Sequence, residues 1–285
     1  MIRTLLLSSR PLSWVNTAFP FAAGYLMTTR EVDLVFVLGT LYFLIPYNLA
    51  MYGINDVFDY ESDLRNPRKG GVEGALLDRR MHRPTIIAAI VTNVPFLVYL
   101  ALVGSPLSWL VLAISVFAVI AYSAPGLRFK ERAVLDSLTS STHFVSPAVV
   151  GLLLAGGAFG STTMAALAGF FLWGVASQAF GAVQDIEADR GGGIASVATW
   201  LGARGTVRMA FAAYAVAGVL LLGLDGPARL AALLVLPYLA NVAPYLNLTD
   251  ADCERAHAGW QRFLWLNYVT GFLLTQLLIW VTWGG

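Results

Sequence analysis

Residues 34–54 read LVFVLGTLYFLIPYNLAMYGI, and residues 55–63 continue NDVFDYESD. Twenty-one residues without a charge are followed by nine that carry four acids. About 20 consecutive apolar residues suffice for a helix to cross a bilayer, so the first part reads as a membrane span. The second part reads as its end at the polar boundary. Asn55, Asp59 and Asp63 recur at i, i+4 and i+8, and Asp56 precedes the two aspartates by three and seven residues. If the helix continues past the membrane boundary, these groups share one face over two turns.

The rest of the chain agrees with a membrane setting. Of its 285 residues, 58% are hydrophobic and 12% charged, with mean hydropathy +0.69. A soluble domain of this length would carry roughly 70 charged residues; this one has 18 Lys and Arg plus 17 Asp and Glu. That shortage excludes an ordinary soluble enzyme and a disordered chain. A single cysteine, Cys253, excludes a disulfide scaffold, and a net charge of +1 offers nucleic acid no electrostatic footprint. Cys253 has no metal-ligand partner in its surroundings and reads as an inert loop thiol.

Nine stretches have the length and apolarity of spans: Pro11–Met27, Leu34–Ile54, Thr85–Val103, Leu107–Ala124, Leu138–Ala155, Thr162–Val183, Val207–Leu222, Ala228–Leu246 and Phe263–Trp283. The first is interrupted by Pro20 and preceded by Arg3 and Arg10, but no small-x-small cleavage site follows, so it reads as a retained helix. With nine spans, the N-terminus and the loops after even-numbered spans share one side. Every Lys and Arg except Arg30 and Arg229 falls there, which puts the N-terminus in the cytoplasm and the C-terminus outside. Every acid except Glu31, Asp33 and Asp225 falls there too. The positive-inside rule does not account for gathered acids, so the asymmetry points to chemistry at the cytoplasmic face.

A second acidic motif, QDIEADR at Gln184–Arg190, follows the sixth span. Asp59 to Asp185 and Asp63 to Asp189 are both separated by 126 positions, or four spans. The spacing suggests an internal repeat of four-helix units, 1–137 and 138–246, with a final helix at 263–283. Like carboxylates about 5 Å apart at an effective dielectric near 20 repel by about 3 kcal/mol. Clusters of them need a cation, and hard oxygen donors without Cys or His select Mg2+. Mg2+ keeps positions open for phosphate oxygens, so two ions held by two facing clusters would cradle a diphosphate. The bland alternative is a pair of solvated helix ends neutralised by nearby arginines.

Two basic loops share that side. YSAPGLRFKER at Tyr122–Arg132 breaks its helix at Pro125 and Gly126 and then offers Arg128 and Lys130 as phosphate donors. DLRNPRKGG at Asp63–Gly71 offers Arg65, Arg68 and Lys69, with Gly70 and Gly71 suggesting a lid. Each alone would also suit an ordinary cytoplasmic loop.

The three elements together resemble the UbiA superfamily of intramembrane prenyltransferases. Its pattern is NDxxDxxxD after the second helix, DxxxD after the sixth and a YSxPPxRxK-like loop between them. The resemblance implies an all-α bundle of nine transmembrane helices with cytoplasmic cap loops and a central cavity open to lipid. It assigns Asn55, Asp59, Asp63, Asp185 and Asp189 to an Mg2+–diphosphate site, Arg128 and Lys130 to diphosphate contacts, and Tyr122 to the prenyl group. Two departures stand out. Ala124-Pro125-Gly126 replaces a double proline, and Arg190-Gly191-Gly192-Gly193 replaces a single glycine before threonine. Ser8–Ala18, Ile45–Asn48, Asn55–Gly74, Leu138–Phe144 and Phe263–Tyr268 are most similar to the actinobacterial lycopene elongases. That branch implies transfer of a five-carbon unit from dimethylallyl diphosphate to each end of lycopene, giving C45 and C50 carotenoids.

No protein nucleophile is evident or needed for that reaction. His143 and Gln178 are the cavity-lining candidates. His143 reads either as a proton acceptor or as a structural histidine bonded to a neighbouring helix, and released diphosphate is a rival acceptor. Asn48, Asn93, Asn241, Asn267 and Gln276 read as interhelical hydrogen-bonding groups. Aromatic-ring prenylation shares the metal and phosphate residues and remains an alternative. A CDP-alcohol phosphotransferase is disfavoured by the lack of a DGxxAR segment. A secondary transporter is disfavoured because the acids collect at one boundary rather than at the midplane.

Overall fold

The computed structural model describes residues 1–64 and 77–284, except for the side chains of Ser62 and Asp63. Arg65, Arg68, Lys69, Gly70, Gly71 and Gly74 therefore lie outside the described residues, as does the Asp63 carboxylate. Helix is the only regular structure among the described residues. In order these are α1 (Ile2–Ser8), α2 (Val15–Thr29), α3 (Leu34–Leu44), α4 (Pro46–Phe58), α5 (Tyr60–Asp63), α6 (His82–Val103) and α7 (Pro106–Ser123). They continue as α8 (Leu135–Leu154), α9 (Ser161–Ala182), α10 (Ile186–Gly192), α11 (Val197–Leu222), α12 (Leu236–Val242) and α13 (Ala256–Trp283).

Eight segments are long and apolar enough to cross a bilayer: Leu34–Phe58, Arg79–Val103, Pro106–Ser123, Leu135–Leu154, Ser161–Gly192, Val197–Leu222, Gly226–Tyr245 and Asp250–Trp283. The stretch expected as the first span is different. It forms a 3-10 turn at Pro11–Ser13 and then α2, whose 15 residues include Pro20. At 1.5 Å per residue α2 rises about 22 Å, less than the hydrocarbon thickness of about 30 Å.

The chain divides into two compact units. One comprises Met1–Phe129 and His143–Gly157, the other Lys130–Thr142 and Ala158–Gly285. In the first, Phe21, Tyr42, Phe43 and Tyr47 form a buried aromatic centre. A Cβ on Gly24 would stand 2.5 Å from the Ala148 carbonyl oxygen, and one on Gly151 would stand 2.4 Å from that of Phe21. Glycine thus lets α2 and α8 touch backbone to backbone, a packing that membrane helices favour. Pro46 lacks an N–H and ends α3, which leaves carbonyls without helical donors. Asn48 supplies them: its Nδ2 donates to Phe43 O at 2.8 Å and Leu44 O at 3.0 Å. Thr17 Oγ1 adds a 2.7 Å bond to Phe43 O, and Asn93 reaches Pro46 O at 2.7 Å. A break in apolar surroundings is stable because these side chains satisfy its backbone.

In the second unit, Phe180, Tyr214, Tyr238 and Phe263 lie in a buried core, with Trp173 and Trp260 against it. Asn241 donates to Gly259 O at 2.9 Å, and Tyr238 donates to Asn267 Oδ1 at 2.9 Å. Both bonds join α12 to α13, as the polar residues of these helices suggested. α11 is kinked at Gly202, whose φ of 69° and ψ of 170° suit only glycine.

Candidate active site

The first acidic motif does not run on as one straight helix. α4 ends at Phe58, Asp59 takes φ −97° and ψ 0°, and α5 resumes at Tyr60. The single two-turn face expected from the spacing is interrupted at Asp59. Asn55 still anchors the turn, because its carbonyl accepts the Asp59 N–H at 2.9 Å. The Asp59 side chain is only 2% exposed, and its Oδ1 lies 3.7 Å from Arg128 Nη2. Asp56 is fully buried and accepts a 3.1 Å hydrogen bond from Arg10 Nη2. Glu61 pairs with Arg79, whose guanidinium covers the Tyr60 ring.

Arg128 is positioned by a tight turn. Leu127 N–H donates to Ala124 O at 3.1 Å, and Gly126 has φ 86°. Proline followed by a positive-φ glycine is the type II pattern. The departure from a double proline therefore has a structural consequence, since a proline at 126 would be locked near φ −65° and could not make this turn. Arg128 itself is left-handed at φ 41°, and its N–H also donates to Ala124 O, at 3.0 Å. A non-glycine residue held there costs on the order of 1 kcal/mol or more. Lys130 is half-buried on the short 3-10 helix Phe129–Glu131.

Tyr122 and His143 meet edge to face, with ring centroids 5.4 Å apart. His143 is 3% exposed and hydrogen-bonds the Ala118 backbone, while its Nε2 has no hydrogen-bond partner among the described residues. Nearby in the same unit, Ser146, Ser115 and Tyr47 form a buried hydroxyl chain with steps of 2.8 and 3.0 Å.

The second motif repeats the backbone break of the first. A 3-10 turn, Val183–Asp185, ends in Asp185 at φ −98° and ψ −1°, and α10 follows. Asp185 and Asp189 are both half-buried. The preceding Gln184 is fixed by partners that the sequence did not reveal. Its amide nitrogen donates to Gly181 O at 3.0 Å, which leaves Oε1 to accept from His257 Nδ1 at 2.6 Å. His257 Nε2 then accepts from Gln261 Nε2 at 2.9 Å. The neutral δ-tautomer satisfies all three groups. After the motif, Arg190 reaches Asp250 at 2.6 Å, and Asp250 also accepts the Ala203 N–H at 2.7 Å where α11 restarts beyond Gly202. Gln178 accepts a 3.0 Å hydrogen bond from Ser140.

Among the described residues, no three His, Cys, Asp or Glu side chains group closely enough to enclose an ion by themselves. Mg2+ does not require such a cage, because one or two carboxylates plus phosphate oxygens commonly complete its shell. Each unit offers its own oxygen donors, the Asn55 amide and Asp59 carboxylate in the first and the Asp185 and Asp189 carboxylates in the second, with no thiolate or imidazole among them. That chemistry fits Mg2+ brought in with a diphosphate and does not fit zinc.

Residues 17–283 match the profile of the UbiA prenyltransferase family. The chain is 60% identical over 281 residues to the C(50) beta-cyclic carotenoids biosynthesis protein of a Dietzia species, covering 98% of this chain and 65% of that protein. It is 54% identical over 278 residues to the lycopene elongase/hydratase of Corynebacterium glutamicum, covering 98% of this chain and 97% of that protein. A solved UbiA homologue from Archaeoglobus fulgidus, bound to DMAPP and Mg2+, superposes with a TM-score of 0.69 at 19% identity. That comparison covers 94% of this chain and 98% of the archaeal one, and at such identity it speaks for the fold alone.

Proposed function

Because the chain belongs to the UbiA prenyltransferase family, we propose that it transfers a five-carbon prenyl group from dimethylallyl diphosphate to lycopene, giving C45 and then C50 carotenoids. The observation that carries the acceptor assignment is the nearly end-to-end 54% identity to a relative named lycopene elongase/hydratase. The chain is a multi-pass membrane prenyltransferase. The Pro11–Ser13 turn and α2 together supply the ninth crossing, the N-terminus faces the cytoplasm, the C-terminus faces outside, and the reaction occurs at the cytoplasmic boundary. The segregation of Lys and Arg supports that orientation.

Asn55, Asp59, Asp63, Asp185 and Asp189 would hold two Mg2+ ions with the donor diphosphate. Bound there, Mg2+ neutralises charge on the diphosphate oxygens. Arg128 and Lys130 donate to the same oxygens, and Arg68 and Lys69 are assigned to the diphosphate with them. Stabilising charge where it develops lowers the barrier to breaking the allylic C–O bond, whose electron pair leaves with the diphosphate. Tyr122 offers its π face to the allylic cation, a contact worth about 0.5–2 kcal/mol. The terminal double bond of lycopene donates its π pair to form the new C–C bond, and the resulting tertiary cation loses a proton. His143 and the departing diphosphate are the two acceptors within this scheme. Gln178 lines the acceptor cavity.

Expression in a bacterium that accumulates lycopene, followed by mass analysis of its pigments, tests the reading. C45 and C50 products are expected. Unchanged lycopene, together with prenylation of a quinone precursor by the same membranes, would transfer the assignment to aromatic acceptors.

A further inference from the structure

An amide side chain inside a membrane span has one carbonyl oxygen and two N–H groups to satisfy away from bulk water. Asn48, Asn93 and Asn241 donate to backbone carbonyls at 2.7–3.0 Å. Gln178 does not. Its Oε1 accepts from Ser140 Oγ at 3.0 Å, and its Nε2 donates to no group among the described residues. Gln178 is half-buried and Ser140 is buried. Hydroxyls on these helices can turn back on their own backbone, as Thr142 does to Leu138 O at 2.8 Å and Ser177 to Trp173 O at 2.7 Å. Ser140 instead reaches from α8 to α9. That bond fixes the glutamine carbonyl and leaves the NH2 group on the far side of the amide.

The height of this amide matters. Gln178 precedes Asp185 by seven residues, through the end of α9 and the Val183–Asp185 turn. The two therefore stand on nearly the same side of the helix, about 12 Å apart along it. Ser140, Gln178 and Asp185 all belong to the second unit. A metal and a diphosphate on Asp185 occupy several ångströms of that distance, so the amide stands at the depth of the reacting carbons. Neither a prenyl group nor a polyene carries an oxygen there, and a donor facing only hydrocarbon is costly. Water is the smallest molecule that removes the cost. Its oxygen accepts from Gln178 Nε2, and one of its hydrogens returns to Ser140 Oγ, which gives it the two polar partners that a buried water needs.

We propose that Gln178, oriented by Ser140, binds a water molecule beside the tertiary cation and so decides how that cation ends. The inference rests on the prenyl-transfer reading above and adds a second outcome to it. Proton loss gives an alkene. In the other branch a lone pair of the bound water forms a C–O bond to the cationic carbon. The oxonium then passes one proton to the released diphosphate, and a tertiary alcohol remains. Water is the sole added reactant, and no oxidant or reductant takes part. Gln178 holds the reacting water, and Ser140 is a positioning residue that acts through Gln178.

The test uses membranes containing the full-length chain, supplied with lycopene, dimethylallyl diphosphate and Mg2+ in buffer made with oxygen-18 water. The pigments are separated and their masses measured. C45 and C50 products are expected from the unaltered chain, with a share of them heavier by one labelled water. Gln178→Met should lower that share about fivefold or more, and Ser140→Ala about two- to threefold, because the water loses one hydrogen bond or its donor loses its orientation. Ser140→Thr keeps the hydroxyl and should restore the share. Each value is a ratio among products, so a variant with reduced total turnover still reports. A merely structural role would lower all products together and leave the ratio unmoved. If Gln178→Met does not accumulate in the membrane, Ser140→Ala against Ser140→Thr carries the decision.

Elongated products free of oxygen-18 from the unaltered chain would overturn the proposal. So would an unchanged labelled share in Gln178→Met, or equal shares in Ser140→Ala and Ser140→Thr. Absence of any C45 or C50 product from the unaltered chain would instead sink the prenyl-transfer reading, and this inference with it.

Discussion

The two acidic motifs can be laid side by side. Asp59 closes α4 at φ −97°, ψ 0°, and Asp185 closes a 3-10 turn at φ −98°, ψ −1°; each precedes a short helix. This is the sparsely occupied bridge region in which many active-site residues sit. Different segments brace the two breaks. Arg10 and Arg128 come to the first motif from distant segments, and both are left-handed. The second is held by Gln184 with His257 on one side and by Arg190 with Asp250 on the other. Equal backbone conformation with unequal support indicates that the break at the aspartate is the shared requirement, and that each unit meets it with whatever packing it has.

Neutralising either break-point acid probes that equivalence most severely. Asp59→Asn and Asp185→Asn should each lower C45 formation about a hundredfold or more, since charge stabilisation in the transition state is lost. Pigment analysis with a melting curve for each purified variant checks this. Near-normal turnover in one but not the other would end the parallel between the motifs. Chelation should act on both at once. EDTA should abolish turnover and also the rise in melting temperature caused by the thiolodiphosphate analogue, and added Mg2+ should restore both.

Arg128, which approaches Asp59 of the first motif, offers a finer distinction. Arg128→Ala should raise the donor KM about tenfold through loss of a charged hydrogen bond. Gly126→Pro should do the same without touching a charge, because proline cannot reach φ 86°. Steady-state kinetics on both variants would separate the guanidinium from the turn that presents it. The smallest effect concerns the second motif's brace. Asp250→Ala removes a cap from the Ala203 N–H and the partner of Arg190. A loss of roughly 1 kcal/mol of stability is expected, with turnover changed only a few-fold; a melting curve and a rate measurement suffice.

Much of the fold could be read from apolar run lengths, and eight of the nine expected spans coincide with segments long enough to cross a bilayer. Pro11–Met27 was the exception, because run length alone cannot tell a helix from a 3-10 turn followed by a short helix carrying Pro20. The polar residues within spans were also legible in kind. Asn48, Asn93, Asn241 and Asn267 had to find partners in apolar surroundings, and they did. The partners themselves were not legible. His257 holds Gln184, and Asp250 caps a helix that a kink at Gly202 restarts.

The sequence by itself determined a helical membrane chain and two acidic clusters 126 residues apart. Those properties depend on run length, spacing and side-chain chemistry, which are local. Only the tertiary structure decided that Arg10 belongs to Asp56 and Arg128 to Asp59. Arginines outnumber the acids of the two motifs and stand near both in sequence, so composition cannot choose among them. Ion pairing falls off within a few ångströms, so the choice is made by which distant segments the fold brings together.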